Sequence, residues 1–138
     1  MADLWIRLAA VAALLAAATV AWLLVQRRRA PRSVRHSSGL ARIAAAVSVP
    51  SGPEGVVVQF SGPYCSACGP SARLWRTVVG PEAFVELDVS EHLELVRTFG
   101  VLSTPTSLVF DGDGTLRARV SGAPSPRRAR EALALATG

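Results

Sequence analysis

The sequence predicts an α/β domain, a mixed sheet flanked by helices, preceded by one N-terminal transmembrane helix. Three observations carry this reading. Strand-like and helix-like segments alternate from Val56 onward; two strand-like runs then flank Asp111-Gly112-Asp113-Gly114; and Leu8 to Val25 is a run of 18 residues without a charge. Alternating β and α segments give parallel strands joined by helical crossovers, whereas a tight turn joins an antiparallel pair. The sheet is therefore expected to be parallel first and antiparallel after.

Thr19 is the one polar side chain between Leu8 and Val25, and a helix of that length rises roughly 27 Å, close to the thickness of a hydrocarbon core. Leu4 to Ile6 extend the span if Arg7 snorkels to the interface, and Trp5 and Trp22 stand where aromatic anchors lie. The reading is a helix over about residues 4–25 and an Arg-rich juxtamembrane linker, together residues 1–39, ahead of a folded domain over 40–138. A cleaved signal peptide is the competing reading, since Ala16-Ala17-Ala18 offers small residues. The weakly basic start, and Arg27-Arg28-Arg29 directly after the run, oppose it.

Charge separates along the same boundary. Residues 1–39 hold six arginines against Asp3, which is 6 − 1 = +5, while the nine remaining arginines are balanced by nine carboxylates between Glu54 and Glu131. The body of the protein has no excess of positive charge for a phosphate backbone, so nucleic acid is not expected as a partner. Five arginines follow the span and one lies near its start. Positive charge near a span stays cytoplasmic, which predicts a single-pass protein of the cell membrane with the N-terminus outside and the domain in the cytosol.

Gln26 to Gly39 reads as linker, and Leu40 to Val47 as a short helix. Gly55 to Phe60 is a buried strand by its run of β-branched residues. Ala67, Ala72, Leu74, Trp75, Val78 and Val79 recur at helical spacing within Ser66 to Val79, and Gly80-Pro81 closes that helix. Phe84 to Val89 is a second strand. Ser90 is a candidate N-cap for a helix whose Leu93, Val96 and Phe99 are spaced to face the core. Ser107 to Phe110 and Thr115 to Val120 form the hairpin, and Ser125-Pro126 starts a last helix as cap and first residue.

The two cysteines, Cys65 and Cys68, come directly after the first strand at the start of a helix. Unpaired N–H groups and the helix dipole there favour the thiolate of Cys65, the form that attacks disulfides, and Cys68 one turn on can resolve the mixed disulfide. A zinc half-site would need His36 and His92, which stand in the linker and at a helix start, and no second C-x-x-C is present. No metal or cofactor is expected. A structural staple closing so small a loop would add little, and disulfides do not persist as staples in the cytosol.

The strand VVVQF before YCSAC, VELDVSEHLELVRTFGV leading into STPT, the hairpin SLVFDGDGTLRARVSGAP and the C-terminal amphipathic helix together resemble the thioredoxin superfamily over essentially all of 40–138. With the span, the chain looks most like membrane-anchored bacterial thioredoxin-like proteins. The resemblance implies a cis Pro105 facing the cysteines, a Thr104 backbone that pairs with extended substrate, and a Gly122 that keeps the neighbouring wall low. Tyr64 takes the place of the usual tryptophan beside the substrate, and Ser-Ala replaces Gly-Pro between the cysteines. Gln59 occupies the position of a buried aspartate, and Glu86 that of the lysine paired with it. The expectation is that Glu86 is partly buried, hydrogen-bonded to the Gln59 amide, and supplies a proton relay. The stretch before Val56 is short, so one edge strand is expected to be absent.

The function implied is a membrane-tethered thiol-disulfide oxidoreductase that reduces or exchanges protein disulfides or dithiols, and a reductase or membrane redox partner would recycle it. Two alternatives stand beside it. One is an extracytoplasmic exchange protein of the cytochrome-maturation type; the other is a non-catalytic module that holds a partner in the Pro105 groove.

Overall fold

A computed structural model describes residues 1–28, 39–50 and 55–138, and divides the chain into two compact units, Met1–Ala30 and Pro31–Gly138. In the first, α1 spans Ala2–Arg28. It contains a segment, Asp3–Leu23, of mean hydropathy 2.0, long and apolar enough to cross a membrane. The helix runs past the expected end near residue 25 into the arginines, because arginine is a good helix former and nothing there breaks the ladder. The Thr19 hydroxyl donates to the Leu15 carbonyl at 2.8 Å, so its polar group is satisfied within the helix, as a membrane span would require. The expected linker falls for the most part on residues 29–38, outside the described residues.

The second unit is built on four strands, β1 (Val56–Ser61), β2 (Phe84–Asp88), β3 (Thr106–Phe110) and β4 (Leu116–Ser121), in the order β2-β1-β3-β4. β1 pairs parallel with β2 and antiparallel with β3, which pairs antiparallel with β4. The helices are α2 (Gly39–Ala44), α3 (Cys68–Val79), α4 (Leu93–Thr98) and α5 (Pro126–Thr137), with a 3-10 turn at Pro81–Ala83. Among the described residues no strand precedes β1.

Alternation along the strands sorts the core into two layers. Val56, Val58 and Phe60 point to one side with Leu108 and Phe110, where Ile43 of α2 and Leu95 of α4 cover them. Val57 and Val109 point to the other, under Ala72 and Trp75 of α3 and Ala129 and Ala132 of α5. Gln59 and Ser61 share that second face by parity, which places two polar residues beneath the helix that follows the cysteines. A register shift at Val109/Phe110 pairs Phe110 with Leu116 and Val109 with Ala118. It sends Leu116 into the first layer while Ala118 and Val120 fill the second.

Two local expectations give way. Ser90 does not cap α4; its N–H and hydroxyl bind the Asp88 carboxylate in the preceding turn, and His92 takes the cap position without a side-chain bond. With the helix starting later, Leu95 is buried and Leu93 is left 53% exposed. Ser125 does cap α5, accepting from the Arg128 N–H at 3.3 Å, with Pro126 as the first helical residue. The Asp111 loop is a hairpin turn whose carboxylate accepts the Asp113 and Thr115 N–H groups and the Arg117 guanidinium.

Candidate active site

The sheet register gathers the site. Phe60 at the end of β1 pairs with Thr106 at the start of β3, and Thr106 pairs with Ser121 at the end of β4. The segments adjoining those three residues, the cysteine loop, Thr104-Pro105 and Gly122, therefore leave the sheet at one end. Gly62 shows how closely the first two approach: a Cβ there would stand 3.3 Å from the Thr104 hydroxyl oxygen. The Thr104-Pro105 bond is cis, as expected. Gly122, at φ 80°, donates its N–H to the Pro105 carbonyl at 2.8 Å, and a Cβ on it would meet nothing within 4 Å.

Cys65 and Cys68 are joined as a disulfide with their Cα atoms 5.4 Å apart. Cys65 is half-buried, whereas Cys68 is 4% exposed. α3 begins at Cys68, two residues later than the spacing predicts, because the Cys68 N–H closes a turn onto the Cys65 carbonyl at 3.3 Å. The first bond of α-helical reach comes only with the Ser71 N–H and the Ala67 carbonyl. Cys65 thus precedes the first turn of the helix. Tyr64 beside it is fully exposed. So is Leu102, at 97%, a residue that sequence reasoning did not single out. Leu102 borders an apolar cavity of about 250 Å³ that Val89, Leu93, Val96, Val101 and Thr104 also line.

Behind the disulfide lies a polar chain. The Gln59 amide donates to the Cys68 carbonyl at 3.0 Å and to the Ser61 hydroxyl at 2.9 Å, and accepts from the Ser71 hydroxyl at 2.7 Å. Ser61 in turn donates to Glu86 Oε1 at 2.7 Å, and Arg76 reaches Glu86 Oε2 at 3.3 Å. The direct Gln59 to Glu86 bond that the sequence led us to expect is absent, and Ser61 stands between them. The amide has spent both N–H groups and its oxygen on closer partners, and Glu86 leans outward to Arg76, whose guanidinium also lies 4.7 Å over the Phe84 ring. Ser61 and Ser71 were not foreseen as members; the signal available was spacing, Ser61 two residues from Gln59 on one strand face and Ser71 one turn from Cys68.

Comparison with known proteins places the fold. The profile of the thioredoxin-like domain matches residues 44–137. Among solved structures, the thioredoxin of Malassezia sympodialis superposes with a TM-score of 0.55 at 23% identity, over 78% of this chain and 95% of its own. Fasciola hepatica thioredoxin gives 0.54 at 22% identity over 70% and 90%, and oxidised mitochondrial thioredoxin 3 of Saccharomyces cerevisiae gives 0.54 at 20% over 69% and 88%. With the profile covering most of its length, the chain belongs to the thioredoxin-like family.

Proposed function

We propose that the protein is a thiol-disulfide oxidoreductase tethered to the cell membrane by α1, with its thioredoxin-like domain on the cytoplasmic side. The observation that carries the reading is the Cys65–Cys68 pair at the head of α3, one sulfur reachable and the other covered, at the sheet end where the cis Thr104-Pro105 bond also lies. In the reduced protein the Cys65 thiolate attacks a sulfur of a protein disulfide, forming a mixed disulfide and expelling a substrate thiolate. Cys68, as thiolate, then attacks the Cys65 sulfur; the second substrate thiolate leaves and the Cys65–Cys68 bond is regenerated. Two electrons pass from the dithiol to the substrate disulfide.

Tyr64, Thr104 and Gly122 supply the substrate surface in this reading: an exposed ring, a backbone beside Pro105 for an extended substrate to pair with, and an open floor. Glu86 touches neither sulfur, so any effect it has on the chemistry passes through Ser61 and Gln59. A dithiol donor or membrane redox partner returns the pair to the reduced state. The test is reduction of insulin by dithiothreitol, followed by turbidity, with the full chain in detergent micelles. The wild type shortens the lag and Cys65→Ser does not; a wild-type lag equal to that of buffer overturns the proposal.

A further inference from the structure

Gln59 is completely buried in the central strand, and its orientation is dictated by its neighbours. The Cys68 carbonyl can only accept, so the amide nitrogen faces it; the amide oxygen is then left to accept from Ser71. Ser61, accepting from the second amide N–H, turns its own proton to Glu86. The run from Ser71 through Gln59 and Ser61 has its donors pointing toward the carboxylate, and the other amide N–H turns back to the Cys68 carbonyl of α3. The amide grips α3 twice, at Cys68 and at Ser71, and it ends on a carbonyl oxygen and not on sulfur. A primary amide also neither gives nor takes a proton where thiols titrate.

We infer that Gln59 is the positioning residue of the resolving cysteine, and that Cys68 gives its proton to solvent with no internal acid or base as intermediary. The inference rests on the oxidoreductase reading above. By holding the first turn of α3 against β1, the amide keeps the Cys68 sulfur within reach of Cys65, and ring closure onto a neighbouring sulfur is steeply sensitive to such placement. The proton lost from the Cys68 thiol goes to water before its sulfur attacks Cys65 and the substrate thiolate departs. The charged and titratable groups on β2, α3 and the cysteine loop are Glu86 and Asp88 of β2, Arg73 and Arg76 of α3, and Tyr64 in the loop. Among the described residues none of them is hydrogen-bonded to Cys68; Glu86 is held by Ser61 and Arg76, and Asp88 by Ser90.

The test is single-turnover reaction of the reduced full chain, in detergent, with one equivalent of the aryl disulfide that releases thionitrobenzoate. A first burst reports attack by Cys65 and a second reports resolution by Cys68. The expected wild-type second burst follows a single ionisation across the pH range, that of the Cys68 thiol, because Cys65 is then bonded and Glu86 and Asp88 are hydrogen-bonded elsewhere. Gln59→Leu slows the second burst about tenfold or more with the first changed by less than about twofold. Ser71→Ala, a milder cut that keeps the Cys68 contact, slows the second burst about two- to fivefold and carries the comparison if Gln59→Leu does not fold. Gln59→Glu adds a second ionisation to the second-burst profile. A wild-type profile with two ionisations, bursts slowed equally or not at all in Gln59→Leu and Ser71→Ala, or a Gln59→Glu profile identical to wild type would each overturn the inference. A wild type that shows no second burst, and so behaves as Cys68→Ser, overturns the oxidoreductase reading itself.

Discussion

Trp75 and Ser107 tie the helix of the cysteine pair to the strand that follows Pro105. The indole N–H donates to the Ser107 hydroxyl at 2.8 Å, and both side chains are fully buried. Ser107→Ala leaves that N–H without an acceptor in the core, which costs about 2 kcal/mol. Trp75→Phe leaves the hydroxyl unpaired at about 1–2 kcal/mol and adds about 1 kcal/mol for the space the smaller ring fails to fill. In the double variant neither polar group is orphaned, so its cost is expected to fall short of the sum of the two by about 1–2 kcal/mol. The measurement is urea unfolding of the full chain in detergent, followed by circular dichroism, since α1 adds a constant signal if it stays in the micelle. A double variant whose cost equals the sum to within about 0.3 kcal/mol would refute the claim that this bond, and not packing alone, joins α3 to β3.

The other expectations are shorter. Cys68→Ser should accumulate mixed disulfides with protein substrates, visible as thiol-sensitive bands on non-reducing gels, while Cys65→Ser should not; the opposite pattern reverses the roles of the two sulfurs. A reporter active only outside the cytosol, fused after Gly138, should stay silent, and strong activity would move the domain to the extracytoplasmic side. Burial pushes the Asp111 carboxyl up, but the Thr115 N–H and the Arg117 guanidinium outweigh it, so its pKa lies below the ordinary 3.8. A carboxyl depressed in the folded state stabilises the fold above its unfolded pKa and loses that contribution as pH falls through the folded one. Acid titration of stability should therefore be shallower in Asp111→Asn than in wild type below about pH 4, and parallel curves would dismiss the linkage.

The positions of the strands were legible because hydrophobic runs and turn residues report burial directly: the strands expected over 55–60 and 84–89 lie at Val56–Ser61 and Phe84–Asp88, and the turn over 111–114 joins β3 to β4. Helix starts were less so. Whether Ser66 or Cys68 opens α3, and whether Ser90 or His92 precedes α4, depends on which acceptor a single N–H or hydroxyl finds, and composition is silent on that. The same limit explains Glu86. Gln59 and Glu86 are register partners on adjacent parallel strands, so proximity was readable, but pairing of strands does not decide where an amide points. Gln59 has partners on its own strand face and on α3, the Ser61 hydroxyl, the Cys68 carbonyl and the Ser71 hydroxyl, which together use its full donor capacity and its oxygen. A carboxylate in the Gln59 position would face the Cys68 carbonyl with no proton to offer it unless it stayed protonated, whereas an amide satisfies that carbonyl at any pH. A glutamate on β2 is thus no substitute for a carboxylate on β1. It sits on the part-exposed edge strand, held by Ser61 and Arg76, while an uncharged amide binds α3 at Cys68 and Ser71.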